Sequence, residues 1–394
     1  MNLLFITDAR FFKTPDGNIY SGEFSFSDIL WKRYFESFDD VIVIARVFEV
    51  DSFKNQAHLI SKATILPIFP FESVFSYTKH YFSIKRKMET YLSRFSNEAI
   101  IIRGAGSLGY LMQKLCIKIQ RPYALEVIGD PYDVYAPGVI KHPLRPILRY
   151  LFTFYQKKVA NNSAAAMYVT KHTLQKRYPV ADTAFSTHAS DVFISEFKDK
   201  IKTFPIQRPY KILSIGALEQ MYKSPDIVLQ AIKTLNQNDK TYDLSWLGEG
   251  MFKQDMINLA ENLNISEQVK FLGSVNREQI IAFLDESDVF VLASRTEGLP
   301  RAIIEAMSRG VPCVGTNVGG IPELVHKDLL VDVNDSEGLA LKISFLLGSE
   351  ERYLMYSKYS IDTAREYEFV NLENKRKSFY SKIKEITNKY NNKG

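Results

Sequence analysis

The sequence predicts an α/β protein with two Rossmann-like domains, each built on a parallel sheet that helices cover on both faces. Three observations support this prediction: a length of 394 residues, an alternation of short apolar runs with longer helical patterns, and a polar break near residues 198–209. Single hydrophobic cores stop growing beyond about 250–300 residues, so this length suits two domains. Strand–helix alternation favours parallel sheets because parallel strands need crossover connections.

The strand and helix patterns extend over both halves of the chain. In the first half, the predicted strands are 3–7, 41–45, 99–103, 123–128 and 165–170, and the predicted helices are 26–38, 71–95, 107–120 and 144–159. In the second half, the predicted strands are 211–215, 243–248, 269–272, 289–293, 312–316 and 329–331, and the predicted helices are 225–237, 252–263, 277–287 and 300–308. Such short apolar runs, bounded by turn residues, favour buried strands.

The break between the halves is polar and contains Pro205 and Pro209, and a new strand pattern begins directly after it. We therefore predict one domain over residues 1–205 and a second over 206–365. Beyond residue 338 the pattern is helical to the end of the chain, and the last segment is highly charged with spaced aromatic residues.

The composition is ordinary for a soluble globular protein, with 46% hydrophobic and 24% charged residues. Cys116 and Cys313 are the only cysteines, which argues against a disulfide framework or a cysteine metal site and suggests a reducing compartment. The N-terminus lacks the pattern of a signal peptide, and no apolar run approaches the roughly 20 residues that span a bilayer. We expect a cytoplasmic protein.

Positive charge is concentrated in one part of the first half, because residues 134–181 contain no acidic side chain. The basic residues that surround the apolar positions of the predicted helix 144–159 are Arg145, Arg149, Lys157 and Lys158. Segment 77–95 likewise mixes aromatic and basic residues. This pattern suits an anionic partner such as the inner face of the cell membrane. The alternative is a pair of ordinary helices with a buried apolar stripe and a solvated basic face.

The most informative segment follows the predicted strand that ends at Ala293. A polar turn with Gly298 leads to Pro300, which suits the start of a helix. Ligands of open α/β sheets bind beyond the carboxyl ends of strands, and the free N–H groups of a helix start favour phosphate there. Glu297 would lie in that crevice and Glu305 about two turns along the helix, and both carboxylates are suited to accept hydrogen bonds from sugar hydroxyls. Alternatively, Glu297 is a solvated turn residue, and Glu305 is in a surface ion pair with a neighbouring arginine.

A second candidate phosphate site follows the predicted strand 211–215. Ser224 is a suitable N-cap and Pro225 a suitable first helical residue, so Lys223 stands directly before a helix N-terminus. A cation and a helix dipole would act together on an anion at this place. The alternative is an exposed loop lysine.

Seven residues separate Glu297, in the segment Glu297-Gly-Leu-Pro, from Glu305. This pattern resembles the signature of the family 4 glycosyltransferases, which are retaining enzymes of the GT-B fold. Residues 310–323, Gly-Val-Pro-Cys-Val-Gly-Thr-Asn-Val-Gly-Gly-Ile-Pro-Glu, are also similar to that family. The resemblance implies two Rossmann-like domains that face a central cleft, with a C-terminal helix, residues 366–394, crossing back to the first domain. It places the acceptor in the first domain and a nucleotide-sugar donor in the second.

The resemblance also implies roles for individual residues. Glu305 would bind the donor ribose, Glu297 would contact the donor sugar and Lys223 the diphosphate. The remaining residues expected at the donor are Gly298, Leu299, Pro300, Gly216, Ser294, Leu272 and Gly273. The chain departs from the family at Ala217, where an arginine is expected six positions before the lysine. Arg10 or Arg103 of the first domain would be the substitute cation.

In the first half, residues 123–133 resemble those of bacterial capsule and exopolysaccharide glycosyltransferases. Glu126 and Asp130 are the candidates there for contacts with donor or acceptor hydroxyls. Many family members have a histidine near this strand end, and this chain has none there. His188 is the other polar candidate, but a lone histidine is more often structural.

The predicted activity is transfer of a sugar, with retention, from a UDP- or GDP-linked donor to a saccharide or polyprenyl-linked acceptor in surface polysaccharide synthesis. The sequence has no separated Asp-x-Asp pair in a loop suited to binding a metal. We therefore expect neither a metal nor another cofactor, and we expect no nucleic acid partner. Two alternatives stay open: an epimerase or phosphorylase of the same fold, and a catalytically inactive subunit of a polysaccharide assembly complex, which the missing arginine and histidine would favour.

Overall fold

The structure is a computed structural model that describes residues 1–55, 58–137, 139, 142–194, 196–198, 200–237 and 241–393, and for Phe24 the backbone alone. The strands of the first half are β1 (Leu3–Lys13), β2 (Ile19–Ser21), β3 (Val41–Glu49), β4 (Thr64–Ile68), β5 (Ala99–Arg103), β6 (Ala124–Val127), β7 (Ala165–Tyr168) and β8 (Phe185–His188). Those of the second half are β9 (Tyr210–Ile215), β10 (Tyr242–Leu247), β11 (Val269–Gly273), β12 (Val289–Leu292), β13 (Cys313–Thr316) and β14 (Leu330–Val331).

Helices connect most of these strands. The helices of the first half are α1 (Asp28–Phe35), α2 (Val74–Lys79), α3 (Tyr81–Arg94), α4 (Ser107–Lys118), α5 (Pro131–Val134), α6 (Arg145–Asn161) and α7 (Thr173–Arg177). Those of the second half are α8 (Pro225–Leu235), α9 (Lys253–Asn262), α10 (Arg277–Glu286), α11 (Arg301–Ser308), α12 (Ser336–Leu347), α13 (Glu350–Arg365) and α14 (Phe369–Asn391).

Each half forms its own sheet. The first has the order β4-β3-β1-β5-β6-β7-β8, with β2 paired antiparallel to β1, and the second has the order β11-β10-β9-β12-β13-β14. The other strand pairs are parallel. In both sheets the strand order reverses once, between β1 and β5 and between β9 and β12. A crevice opens at such a switch point, beyond the carboxyl ends of the two strands. The predicted α/β fold with two parallel sheets is confirmed.

Two edge strands, β4 and β8, were not predicted from the sequence. Pro67 interrupts the β4 pattern, and proline argues against a central strand because it cannot donate a hydrogen bond to the sheet. At the edge of the sheet this cost is absent. The helix predicted over 71–95 is two helices, α2 and α3, which meet at His80. The helix predicted over 26–38 is shorter and begins at Asp28.

The C-terminal helix α14 lies against β5, β7 and β8 of the first sheet. Its Tyr380 ring packs 5.5 Å from Tyr34 of α1, and its buried Arg376 hydrogen-bonds the carbonyl oxygen of Ser190. The last helix therefore returns to the first half of the chain. The domain boundaries at residues 205 and 365 stay a prediction.

Candidate functional site

The switch point of the second sheet lies between β9 and β12, and the loops that follow these two strands hold Lys223 and Glu297. The Lys223 ammonium group hydrogen-bonds Glu297 Oε1, and Ser294 Oγ donates to the same oxygen at 2.7 Å. Both partners of this ion pair are largely buried, with 14% and 9% of their side chains exposed. A cation, a carboxylate and a hydroxyl thus converge at the place where open α/β sheets bind ligands.

Gly216 lies beneath the lysine. A Cβ atom at position 216 would come within 2.8 Å of Lys223 Cγ, so a side chain here would displace the lysine from Glu297. Ser224, the residue before α8, has φ 51°, which is in the left-handed region, and Pro225 is the first helical residue. The predicted helix start is therefore in place, although the Ser224 hydroxyl is buried and caps no backbone N–H.

Arg295 is a site residue that sequence reasoning missed. Its guanidinium forms an ion pair with Asp226 of α8 and donates to the carbonyl oxygen of Met221 at 2.7 Å. Its backbone N–H also donates to the carbonyl oxygen of Tyr222 at 2.7 Å. Arg295 therefore fixes the loop that carries Lys223 against the loop that carries Glu297. Its position between the end of β12 at Leu292 and the predicted site residue Glu297 was the available signal.

The turn after Glu297 contacts both domains. Pro300 occupies the N-cap position of α11, which begins at Arg301, one residue later than predicted, and Leu299 is buried. A Cβ atom at Gly298 would be 2.9 Å from the carbonyl oxygen of Ile128, in the loop after β6 of the first domain. The absence of a side chain at Gly298 thus permits the two domains to meet beside the Lys223–Glu297 pair.

Glu305 faces a different space from Glu297. It lines a cavity of about 620 Å³ together with Arg277 and Arg301 of the second domain and Arg33 and Asp191 of the first. Burial raises the pKa of the Glu305 carboxyl, and Arg301 and Arg277 partly offset this rise. Among the described residues, the Glu305 carboxylate has no hydrogen bond or ion pair.

The predicted alternative for Glu305, a surface ion pair, does not occur with Arg309. That arginine is paired with Asp285 of α10 through two hydrogen bonds of 2.9 and 2.8 Å.

Leu272 and Gly273 end strand β11, and the Leu272 side chain is 39% exposed. Gly273 has φ +77°, which favours glycine, and its carbonyl oxygen accepts a 2.8 Å hydrogen bond from the N–H of Gly248. Both residues are at the carboxyl edge of the second sheet, and their contact with the donor stays a prediction.

Glu126 does not reach the cleft. Its side chain is 1% exposed and forms an ion pair with Arg103, and Tyr34 Oη donates to it at 2.7 Å. Arg103 also binds Asp191 at 2.6 Å, at the start of the segment between the two domains. Burial alone would raise the pKa of Asp191, but Arg103 and Arg33 lower it well below its usual range. This buried network leaves Glu126 no access to a substrate hydroxyl.

Asp130 is likewise buried, and it forms an ion pair with Arg177 and accepts a hydrogen bond from Tyr178 Oη. It also caps α5 by accepting from the N–H of Tyr132 at 2.9 Å. The structure therefore gives both first-domain acids structural partners. Sequence reasoning placed them correctly at strand ends but had no information on which side chains would surround them.

The two basic residues expected to replace the missing arginine at Ala217 differ in accessibility. Arg103 is held in the buried network with Glu126 and Asp191, so it cannot take that role. Arg10 is exposed on β1. His188 contacts Lys375 of α14, with 2.8 Å between Nε2 and Nζ, and partial burial and the neighbouring lysine lower the pKa of His188 to about 4.

Comparison with known proteins relates this chain to glycosyltransferases. A family model described as "Glycosyl transferases group 1" matches residues 196–363. These residues, less than half of the chain, are similar to the group 1 glycosyl transferases. It is similar to Protein CapJ of Staphylococcus aureus, with 28% identity over 99% of this chain and 97% of the relative. Amylovoran biosynthesis glycosyltransferase AmsK of Erwinia amylovora is 30% identical over 34% of this chain and 35% of the relative.

The fold of this glycosyltransferase is the GT-B fold. The solved structure of Anabaena Alr3699/HepE in complex with UDP and glucose superimposes with a TM-score of 0.66 over 97% of this chain and 99% of that chain, at 16% identity. The predicted resemblance to family 4 glycosyltransferases and the predicted enzyme class are confirmed.

Proposed function

We propose that this glycosyltransferase moves a sugar, with retention at the anomeric carbon, from a UDP- or GDP-linked donor to a saccharide or lipid-linked saccharide acceptor in surface polysaccharide synthesis. The observation that carries this proposal is the Lys223–Glu297 pair beside the start of α11, at the switch point of the second sheet. The names of CapJ and AmsK and the UDP and glucose bound to HepE support the same reading.

Each site residue has a physical role in this proposal. Lys223 and the free N–H groups at the start of α11 neutralise the diphosphate, because a helix N-terminus and an ammonium group both favour an anion. Glu297, released from Lys223 by the incoming diphosphate, accepts hydrogen bonds from the donor sugar. Glu305 accepts from the ribose hydroxyls in the adjoining cavity, whose volume suits a nucleoside. Stabilising the leaving nucleoside diphosphate is the main catalytic contribution.

The second candidate function is a catalytically inactive subunit of a polysaccharide assembly complex. Two observations favour an inactive subunit. Ala217 stands where the family has an arginine, and Arg103 is bound to Glu126 in a buried network and cannot replace that arginine. A turnover assay with several nucleotide sugars and lipid-linked acceptors distinguishes the two functions, because an inactive subunit would bind the donor and release no nucleoside diphosphate.

Lys223→Ala is expected to weaken binding of UDP by about 10- to 150-fold and binding of uridine by less than about twofold, because hydrogen bonds to charged groups contribute about 1.5–3 kcal/mol. Titration calorimetry with both ligands measures the difference. Ala217→Arg should tighten UDP binding. Equal losses for UDP and uridine would contradict the assignment of Lys223 to the diphosphate.

We further propose that the enzyme acts on the inner face of the cell membrane and that helix α6 meets the lipid. Ile147 and Tyr150 of this helix are 63% and 78% exposed, and Lys157 and Lys158 are also exposed. Neither α6 nor the neighbouring α4 contains an acidic residue. Apolar side chains among lysines suit an anionic bilayer surface. Among the described residues, no helix is long and apolar enough to cross a membrane.

The structure changes the expected roles of the two arginines of α6. Arg145 donates to the carbonyl oxygen of Tyr135 at 2.9 Å, and Arg149 donates to that of Tyr132 at 2.7 Å. These guanidinium groups hold α6 against α5 and the residue that follows it, whereas the two lysines are available to lipid headgroups.

We expect the protein to sediment with anionic liposomes at low salt and much less with neutral ones. Replacing Lys157 and Lys158 by Gln, together with Tyr150→Ser, should abolish this difference and leave UDP binding unchanged, since each basic residue contributes about 1 kcal/mol near such a surface. Lys233→Gln with Lys270→Gln, which removes two exposed lysines of the second domain, is the charge-matched control. Equal recovery with both liposome types would contradict membrane binding through this helix.

A further inference from the structure

Glu323 joins the two domains through its carboxylate. It belongs to the 3-10 turn Ile321–Glu323 that follows β13 in the second domain. Its two oxygens accept hydrogen bonds from three consecutive backbone N–H groups of the first domain: those of Lys171 at 2.6 Å, His172 at 3.0 Å and Thr173 at 2.6 Å. One side chain of the second domain therefore binds the main chain of the first at three points.

These three N–H groups have no partner within their own helix, because they stand at the start of α7. A carboxylate is the strongest acceptor that a protein side chain can offer to such groups, and bonds of this kind are about twice as strong as those between neutral partners. The helix start also favours a negative charge. The contact is thus specific for the two-oxygen, charged side chain at position 323.

The turn that carries Glu323 is fixed to the donor loop. The N–H of Gly320 donates to the carbonyl oxygen of Gly298 at 2.7 Å, and a Cβ atom at Gly319 would lie 2.1 Å from the carbonyl oxygen of Glu297. A movement of Glu323 relative to the second domain would therefore disturb the loop that holds Glu297. In the first domain, residues 169–173 follow β7. This strand is paired with β6, which the Ile128 loop follows.

We propose that Glu323 is a positioning residue that holds the domains closed around the donor. Its three hydrogen bonds set the Ile128 loop of the first domain against Gly298, where a Cβ atom would be only 2.9 Å from the Ile128 carbonyl oxygen. The consequence for catalysis rests on the proposed glycosyl transfer, whereas the consequence for closure does not. A second, exposed link between the domains, the 2.9 Å ion pair of Lys171 with Glu366, is not fixed to the donor loop.

Two variants test the proposal. Glu323→Ala removes all three acceptors, and Glu323→Gln keeps one amide oxygen and no charge. We expect turnover to fall by at least tenfold for Glu323→Ala and by less for Glu323→Gln, with the affinity for UDP within twofold of the native value, because the donor groups on the second domain are untouched. Glu366→Gln, which breaks only the exposed ion pair, is the matched control and should retain turnover within twofold.

Small-angle X-ray scattering with saturating UDP gives a second readout. The radius of gyration should be larger for Glu323→Ala than for the native protein and for Glu366→Gln, because the domains separate. If the native protein turned over no donor, the proposed function would fail, but scattering would still test the closure. Identical scattering profiles for Glu323→Ala and the native protein would overturn the proposal, as would a loss of UDP affinity equal to the loss of turnover.

Discussion

Glu297→Gln is expected to lower turnover by about 10- to 150-fold, because a lost charged acceptor costs about 1.5–3 kcal/mol of transition-state stabilisation. The carboxylate is held in place by Lys223 and by Ser294 Oγ, so the substitution changes its charge and leaves its position similar. An amide cannot accept with both terminal atoms. The measurement is steady-state release of nucleoside diphosphate, with the KM for the donor determined in the same experiment.

Glu305→Gln should act mainly on donor affinity, since Glu305 faces the cavity proposed for the nucleoside. We expect a tenfold or larger increase in the donor Kd and a smaller loss of turnover. Glu261→Gln, an exposed change of the same kind on α9, is the control and should change neither quantity. If Glu297→Gln and Glu305→Gln both fold and keep full activity, the donor site assigned here is wrong.

Glu126→Ala is expected to destabilise the protein by about 3–5 kcal/mol, because removing one partner of a buried ion pair leaves the other charge without compensation. Arg103, 6% exposed, would retain only Asp191, and Tyr34 would lose its acceptor. Denaturant unfolding, followed by circular dichroism, measures the change. Glu89→Ala, whose carboxylate pairs at 3.9 Å with Lys85 and Lys118 at the surface, should cost less than about 1 kcal/mol.

The Glu126→Ala prediction separates the structural role of Glu126 from the catalytic role that its place in the sequence suggested. A Glu126→Ala protein that is as stable as the native one, yet has lost turnover, would return Glu126 to the catalytic site. A destabilised protein with normal UDP affinity below its unfolding transition would establish the structural role.

Lys223 and Glu297 lie together as the sequence predicted, whereas Glu126 is buried among partners that the sequence did not reveal. The positions of the partner residues explain this difference. Lys223 and Glu297 follow strands that are neighbours in the sheet, so a strand-end rule was enough to place both in one crevice. Glu126 also lies at a strand end, but its side chain points to the face that α1 and α14 cover. No local pattern shows this, because Arg103, Asp191 and Tyr34 come from three distant segments.

The sequence by itself determined the α/β class, most strands and helices, the loops that carry Lys223 and Glu297, and the helix that carries Glu305. These features depend on apolar periodicity and on proline and glycine at helix starts, which act within a few residues. Edge strand β4 was not predicted because it contains a proline. Proline is tolerated in a strand only where no neighbouring strand needs its N–H.

Only the tertiary structure decided which charged groups meet. Lys223 and Glu297 are 74 residues apart, and Glu323 binds the N–H of Lys171 across 152 residues. It also decided that Arg145 and Arg149 bind backbone carbonyls, although their pattern in the sequence suggested a lipid surface. The physical reason is that a charge takes the partner that the packed sheets and the second domain bring near, and the local sequence does not specify that partner.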